Sequence, residues 1–226
     1  PHTEILPADA LPTFNSHAIE AALHHVPELA EHFIYFNDDV FLARPVQPED
    51  FFTSGGLPRI SLSPARVPQS VGPTTRSVDL AAYQSACLIE AATGKTPVHK
   101  PSHGPFPLRR SDLYALEARF ADAFERTMHH RFRTPSDLSV ASSLAPLFGL
   151  ATGTAALADL RVDYVNIEHA RLRFHLSRLG DDTEFDSFCL NETEVEVADR
   201  DQVAERVRDF LEWRFPVPAP WEAPAP

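Results

Sequence analysis

The run Phe33-Ile34-Tyr35-Phe36-Asn37-Asp38-Asp39-Val40-Phe41 constrains what this chain can fold into more than any other stretch. Four β-favouring residues read as a buried strand, which then breaks into Asn-Asp-Asp. Upstream, Ser16 reads as a helix N-cap, and Ile19, Ala22, Leu23 and Val26 follow at helical spacing until Pro27 stops the helix. A helix feeding a strand is the building unit of α/β folds. Open α/β sheets bind ligands at the carboxyl ends of their strands. Two adjacent carboxylates there are costly unless a cation or hydrogen-bond donors neutralise them. Asn and Asp also form ordinary turns, so this segment alone leaves turn and site both open.

Length and composition limit the alternatives. At 226 residues the chain suits one α/β domain, or one domain with an appended lobe. With 43% hydrophobic and 23% charged residues it can build a core. A formal charge of −12 excludes a general nucleic-acid surface, which needs a cationic face. A nucleotide or sugar-phosphate ligand, gripped by a few Arg residues and a metal, stays open. Cys87 and Cys189 are too few for a disulfide scaffold and read as buried core residues in a reducing compartment. No run approaches the roughly 18 apolar residues of a membrane span, and nothing resembles a signal peptide. Residue 1 is Pro, so the chain reads as a fragment or a processed product.

Further elements follow from patterning. From Pro45 to about Gly72 the chain reads as an irregular excursion with a short strand at Arg59 to Leu62. Residues 77–92 predict a helix with Leu80, Tyr83, Ala86, Cys87 and Ala91 on one face. The proline-rich segment Lys95 to Arg110 reads as an ordered loop. Ser111 caps a long helix with a Leu113, Leu116, Phe120 and Phe124 stripe, and Thr134-Pro135-Ser136-Asp137 starts another that runs to about Leu150. Val162 to Ile167 and Phe185 to Leu190 predict strands. A last helix, about Arg200 to Trp213, turns Val203, Val207, Phe210 and Leu211 inward, before a proline-stiffened tail from Phe215 to Glu222.

Four polar clusters could carry chemistry. Asn37-Asp38-Asp39 offers hard oxygen ligands for Mg²⁺ or Mn²⁺. The loop from His99 through His103 to Arg109 and Arg110 combines a group that can take a proton near neutral pH with cations that can grip phosphate. Its bland alternative is a solvated basic loop. His129-His130-Arg131-Phe132-Arg133 precedes a predicted helix start, a natural anion site or ordinary surface charge. Cys189-Leu190-Asn191-Glu192 is another strand running into a polar pair, or a turn. His24 and His25, adjacent on the first helix, are not expected to share one face. There is no zinc-spaced Cys/His motif and, with eight glycines, no Gly-rich phosphate loop, so the sequence does not read as a Rossmann dinucleotide or P-loop site.

Together these stretches resemble one family. Residues 11–52, 99–142 and 185–222 resemble the second, third and fourth signature regions of the Stealth proteins, in the expected order. That family comprises sugar-1-phosphate transferases, among them bacterial capsule polysaccharide polymerases and an N-acetylglucosamine-1-phosphotransferase. The resemblance implies a single catalytic domain over residues 1–226 on a Rossmann-like or nucleotide-sugar-transferase-like α/β sheet. It also implies transfer of a hexose-1-phosphate, such as N-acetylhexosamine-1-phosphate, from a UDP-sugar to a hydroxyl of a polysaccharide or glycan acceptor, releasing UMP. Carried over residue by residue, Asp38, Asp39, His103 and Arg133 are catalytic, and Asp38, Asp39 and Asn191 hold Mg²⁺ or Mn²⁺. Arg109, Arg110, Asn37 and His24 are the substrate-binding candidates.

This sequence departs from the family pattern twice. The first signature region, a strand and turn that supply a core strand and part of the donor site, is absent. Glu192 stands where the family usually has Asp after the Asn. The expected setting is cytoplasmic, or peripheral at the inner membrane face, with no nucleic-acid partner, no membrane span, and homo-oligomerisation left open. The alternatives are a metal-dependent glycosyltransferase that releases UDP and a non-catalytic fragment that binds nucleotide sugar.

Overall fold

The computed structural model describes residues 1–181, 184–192 and 200–219. Among the described residues nine strands run in chain order: β1 His32–Tyr35, β2 Val40–Leu42, β3 Arg59–Ile60, β4 Leu62–Arg66, β5 His99–Pro101, β6 Phe106–Arg109, β7 Ala156–Leu157, β8 Val162–Asn166 and β9 Ser187–Asn191. The α-helices are α1 Ser16–Ala21, α2 Pro48–Phe51, α3 Ser77–Thr93, α4 Arg110–Arg119, α5 Ala121–His129, α6 Ala145–Thr152, α7 Leu172–Asp181 and α8 Arg200–Arg214. The class is mixed α/β, as the sequence predicts. In place of one wide sheet, however, the described strands form four small ones: β1-β6, β2-β9-β8, β3-β7 and β4-β5. Proline supplies the reason. Pro64, Pro101 and Pro107 lie within strands, where each removes a ladder donor and limits further pairing.

The chain divides into two compact units, one of residues 1–37 and 46–160, the other of residues 38–45 and 161–226. In the first, β1 pairs antiparallel with β6, with Phe33 opposite Leu108 and Tyr35 opposite Phe106. Leu108, Leu113, Leu116, Phe124, Leu138 and Leu144 lie in its core, joined by Ala86 and Ile89 of α3. The strand predicted as buried, β1, is only partly so, because it pairs with a single neighbour. In the second unit the three-stranded sheet packs Val165, Phe188 and Leu190 against Leu172, Leu176 and Leu179 of α7 and Val203 and Phe210 of α8. The α8 stripe is the one expected from the sequence.

Several local expectations change. The proline-rich segment Lys95 to Arg110 contains β5 and β6 rather than a loop alone. The helix over 77–92 forms, but its buried face is Ala81, Ala82, Ser85, Ala86 and Ile89, so Cys87 is exposed instead of buried. The predicted long helix after Ser111 breaks at Phe120, whose backbone leaves the helical region (φ −121°, ψ 37°). Asn15, not Ser16, caps α1, its side chain accepting from the His17 N–H at 3.1 Å. The tail beyond residue 219, with Trp221 and Glu222, lies outside the described residues.

The expected helix start at Thr134 is a turn. The Thr134 N–H does donate to Asp137 Oδ2 at 2.9 Å, the signature of a cap. The helix itself opens only at Val140, with a π-type stretch Val140–Leu144. A carboxylate from another element caps it: buried Glu20 of α1 accepts from the Ala141 N–H at 3.1 Å and from Ser142 Oγ at 3.1 Å. Burial raises the Glu20 carboxyl above the usual range, against the opposing pull of His17 and these hydrogen bonds.

Phe188 has no exposed surface, stacks on Phe41 at 5.2 Å between ring centroids and meets Phe210 at 6.0 Å. Phe188→Ala is expected to destabilise the second unit by about 3–5 kcal/mol. Urea unfolding followed by circular dichroism measures this; a loss below about 1 kcal/mol would contradict the packing described.

Candidate functional site

In the second unit the acid-ended segment joins the edge of the sheet. β2 pairs antiparallel with β9, with Val40 opposite Cys189, while β8 and β9 run parallel in a register that sets Asn166 beside Asn191. The Leu190 N–H donates to the Asp39 carbonyl at 2.9 Å, which continues the pairing past Val40. Asp38 precedes Asp39 in a turn and lies close enough to act electrostatically on Cys189. Asp38, Asp39, Asn166 and Asn191 therefore gather at one end of the sheet, where the parallel strands β8 and β9 present their carboxyl ends. Asp38 is exposed and Asp39 and Asn191 are half-buried, so their oxygens are within reach of a ligand.

The donor set fits a hard divalent ion. Two carboxylates and an amide oxygen are ligands for Mg²⁺ or Mn²⁺, and these ions keep some of their own waters. The neighbouring sulfur does not compete as a thiolate. Cys189 is buried and its Sγ–H donates to Asp39 Oδ2 at 3.1 Å. Burial, and then the Asp39 carboxylate, push the Cys189 thiol far above its usual value and keep it protonated. Asn166, whose Oδ1 also accepts from the Glu168 N–H at 3.0 Å, joins this group, and sequence reading missed it. The available signal was a strand, Val162 to Val165, that ends on a polar residue, as the other two segments do.

In the first unit Asn37 and His103 come together, with 3.2 Å between Asn37 Nδ2 and His103 Nε2. The amide donates and the ring nitrogen accepts, which puts the imidazole proton on Nδ1 and leaves Nε2 as the basic nitrogen. The Phe106 ring lies edge-on to His103 at 6.4 Å.

Arg133 is exposed and donates from Nη2 to Ser16 Oγ at 2.7 Å. The turn that carries it is fixed by buried Asp137. That carboxylate receives Asn15 Nδ2 at 2.9 Å, Thr134 Oγ1 at 2.8 Å and the Thr134 N–H, and has His130 Nδ1 at 2.6 Å. His17 Nδ1 stands 3.5 Å away, close enough for electrostatic attraction but at the limit of a hydrogen bond. Asn15 Nδ2 also reaches the carbonyls of His130 and Phe132 at 3.1 and 3.4 Å. Burial would raise the Asp137 carboxyl, but His17, the Thr134 N–H, His130 and Asn15 together outweigh it and hold the group far below the usual carboxylate range.

Two of the substrate-binding candidates are engaged elsewhere. Arg109 makes a bidentate pair with Asp112 at 2.8 and 2.7 Å, which raises its pKa further. Its guanidinium is thus neutralised by its own helix, whereas Arg110, the first residue of α4, is half-buried. His24 is 1% exposed, so it does not present its ring to a substrate. Its Nε2 lies 2.9 Å from Glu117 Oε2, and burial lowers its pKa despite that partner. His25 reaches the same oxygen at 3.1 Å. The two rings were not expected to share a face, yet the long Glu117 side chain from α4 reaches the notch between them.

The sequence matches three regions of one family: Stealth protein conserved region 2 over residues 1–60, conserved region 3 over residues 102–146 and conserved region 4 over residues 178–226. An exopolysaccharide phosphotransferase of Streptomyces coelicolor is 42% identical over 224 residues, covering 98% of this chain and 38% of that protein. The exopolysaccharide phosphotransferase CpsY of Mycobacterium leprae is 37% identical over 231 residues, 98% of this chain and 43% of its own. One from Nocardia farcinica is 39% identical over 219 residues, 94% and 42% respectively. The chain thus spans about two fifths of the length of these relatives.

Asp137→Ala should destabilise the first unit by about 3–5 kcal/mol, because it leaves several buried donors without their acceptor. The sign of the pH dependence follows from the lowered carboxyl. The contribution is complete above the unfolded-state value of about 4 and is lost as pH falls through the lower folded-state value. Chemical denaturation at neutral and acid pH checks both points. A variant as stable as the parent at neutral pH, or a gap that widens on acidification, would contradict this.

Proposed function

We infer function from the premise that this chain belongs to the Stealth family, and we propose that it is part of an exopolysaccharide phosphotransferase that moves a hexose-1-phosphate from a UDP-sugar onto an acceptor hydroxyl. The observation that carries this reading is the grouping of Asp38, Asp39 and Asn191 at one end of the β2-β9-β8 sheet. Hard oxygen donors there suit a diphosphate with its counter-ion. The relatives described above are all named exopolysaccharide phosphotransferases, which supports the reaction class.

In this reading Asp38, Asp39 and Asn191 hold Mg²⁺ or Mn²⁺, and the bound ion supplies charge neutralisation at the diphosphate oxygens. His103 takes the proton of the acceptor hydroxyl at Nε2 when that hydroxyl replaces the Asn37 amide as its donor. The acceptor oxygen attacks the sugar-bearing phosphorus, and the bond from that phosphorus to the bridging oxygen of UMP breaks. UMP departs with the bonding electrons, and the bond between the sugar and its own phosphate is kept. Arg133, steadied by Ser16, stabilises charge that develops on the transferred phosphoryl oxygens. Arg110 supports it, because Arg109 is held by Asp112. An N-acetylhexosamine is the sugar the resemblance favours.

Asp39→Ala and His103→Ala are each expected to lower the rate of UMP release from a UDP-sugar, with acceptor and Mg²⁺ present, by about 10²-fold or more. Chelation of divalent ions should have a similar effect. Unchanged turnover in both variants overturns the residue assignment. UDP in place of UMP would instead identify a glycosyltransferase, and binding of UDP-sugar without turnover a nucleotide-sugar-binding module.

A further inference from the structure

Apart from the groups assigned above, a cluster in the first unit has the composition of a transition-metal site. His24 and His25 belong to a 3₁₀ turn, Leu23–His25, that follows α1, and Glu117 rises from α4. Both Nε2 atoms converge on one carboxylate oxygen, Glu117 Oε2, at 2.9 and 3.1 Å. The three candidate ligand atoms all lie within 4.8 Å of one another. Around tetrahedral Zn²⁺, with bonds of about 2.0–2.1 Å, neighbouring ligand atoms stand about 3.3 Å apart. The observed spacing therefore needs only a small adjustment to close around an ion.

The orientation of His25 favours a cation at this point. Its Nδ1 faces the Ile5 carbonyl at 3.3 Å. A carbonyl can only accept, so Nδ1 carries the hydrogen and the Nε2 lone pair of the neutral ring is aimed at a carboxylate oxygen. Two acceptors facing each other at 3.1 Å repel unless a proton or a metal lies between them. A backbone carbonyl that fixes Nδ1–H and frees Nε2 is also how proteins commonly orient metal-bound histidines. The His24 ring is enclosed, with the Tyr114 ring edge-on at 4.6 Å, and its Nδ1 has no hydrogen-bond partner. Its only polar outlet is the Nε2 that points at Glu117. The side chains of His25 and Glu117 remain 29% and 24% exposed, which leaves an entry path and room for a water as fourth ligand.

We propose that His24 Nε2, His25 Nε2 and a Glu117 carboxylate oxygen bind a divalent transition ion of the zinc type, clamping the turn after α1 to α4. Two imidazoles and one carboxylate select such an ion over Mg²⁺. The site is therefore chemically separate from the all-oxygen set of Asp38, Asp39 and Asn191.

The test is calorimetric titration of chelator-treated protein with Zn²⁺ alone, paired with thermal melts. The protein should bind Zn²⁺ at this cluster and melt at a higher temperature with it. Affinity should fall more than about tenfold in His25→Ala and in Glu117→Gln, a loss at least as large as that from removing outer-sphere support. Asp39→Ala should retain both the binding and the melting shift. Absence of Zn²⁺ binding by the cooperatively melting parent protein, or equal affinity in His25→Ala, overturns the proposal. Should Glu117→Gln fail to fold, the partly exposed His25 carries the test alone.

Discussion

The hydrogen bond between Asn15 and buried Asp137, 2.9 Å long, ties together sequence segments more than a hundred residues apart, and the first unit is organised around it. Asn15 caps α1 with its oxygen while its amide nitrogen holds the carbonyls of His130 and Phe132. Asp137 draws in Thr134 and His130 from the other side. A carboxylate this enclosed is tolerable only because donors surround it. Their presence determines where the turn that carries Arg133 lies and sets Ser16 beside that guanidinium. Glu20, four residues after Ser16, completes the arrangement by capping the helix that opens at Val140. Two buried acids thus do what a larger apolar interface would otherwise have to do.

The same preference for polar closure governs the second unit. Its sheet has three strands, and the polar residues that end them, Asp38 and Asp39, Asn166 and Asn191, gather at one end. Beside them Cys189 is kept neutral, so it adds no second negative charge to Asp39. That asymmetry, an exposed Asp38 and a half-buried Asp39 at the end of a sheet whose core holds Phe188 and Leu190, suits a bound cation and its phosphate.

The elements with strong periodicity were legible in the sequence. Strands β1, β8 and β9, helix α8 and its inward set Val203, Val207, Phe210 and Leu211 all appear close to where patterning puts them. Helix α7 was not anticipated, although Leu172, Leu176 and Leu179 recur at helical spacing. What sequence reading could not supply were the non-local polar contacts. The Thr134 cap is real but closes a turn, because Asp137 is claimed by Asn15 and His130, and the helix start passes to Glu20. The Arg109–Asp112 pair, by contrast, is local, and its i, i+3 spacing was there to be read. His24 was a substrate-binding candidate, yet the notch it shares with His25 is filled by a carboxylate 93 residues away. No local periodicity encodes such partners.

The account turns on which bond breaks. Attack at phosphorus leaves the sugar attached to its own oxygen, whereas attack at the anomeric carbon does not. A UDP-sugar carrying ¹⁸O in the bridge between the anomeric carbon and the phosphorus distinguishes the two directly. Mass spectrometry of the acceptor product and the released nucleotide is predicted to find the label in the product, within the transferred sugar phosphate, and unlabelled UMP. Label recovered in UDP would contradict phosphoryl transfer and identify attack at the anomeric carbon instead.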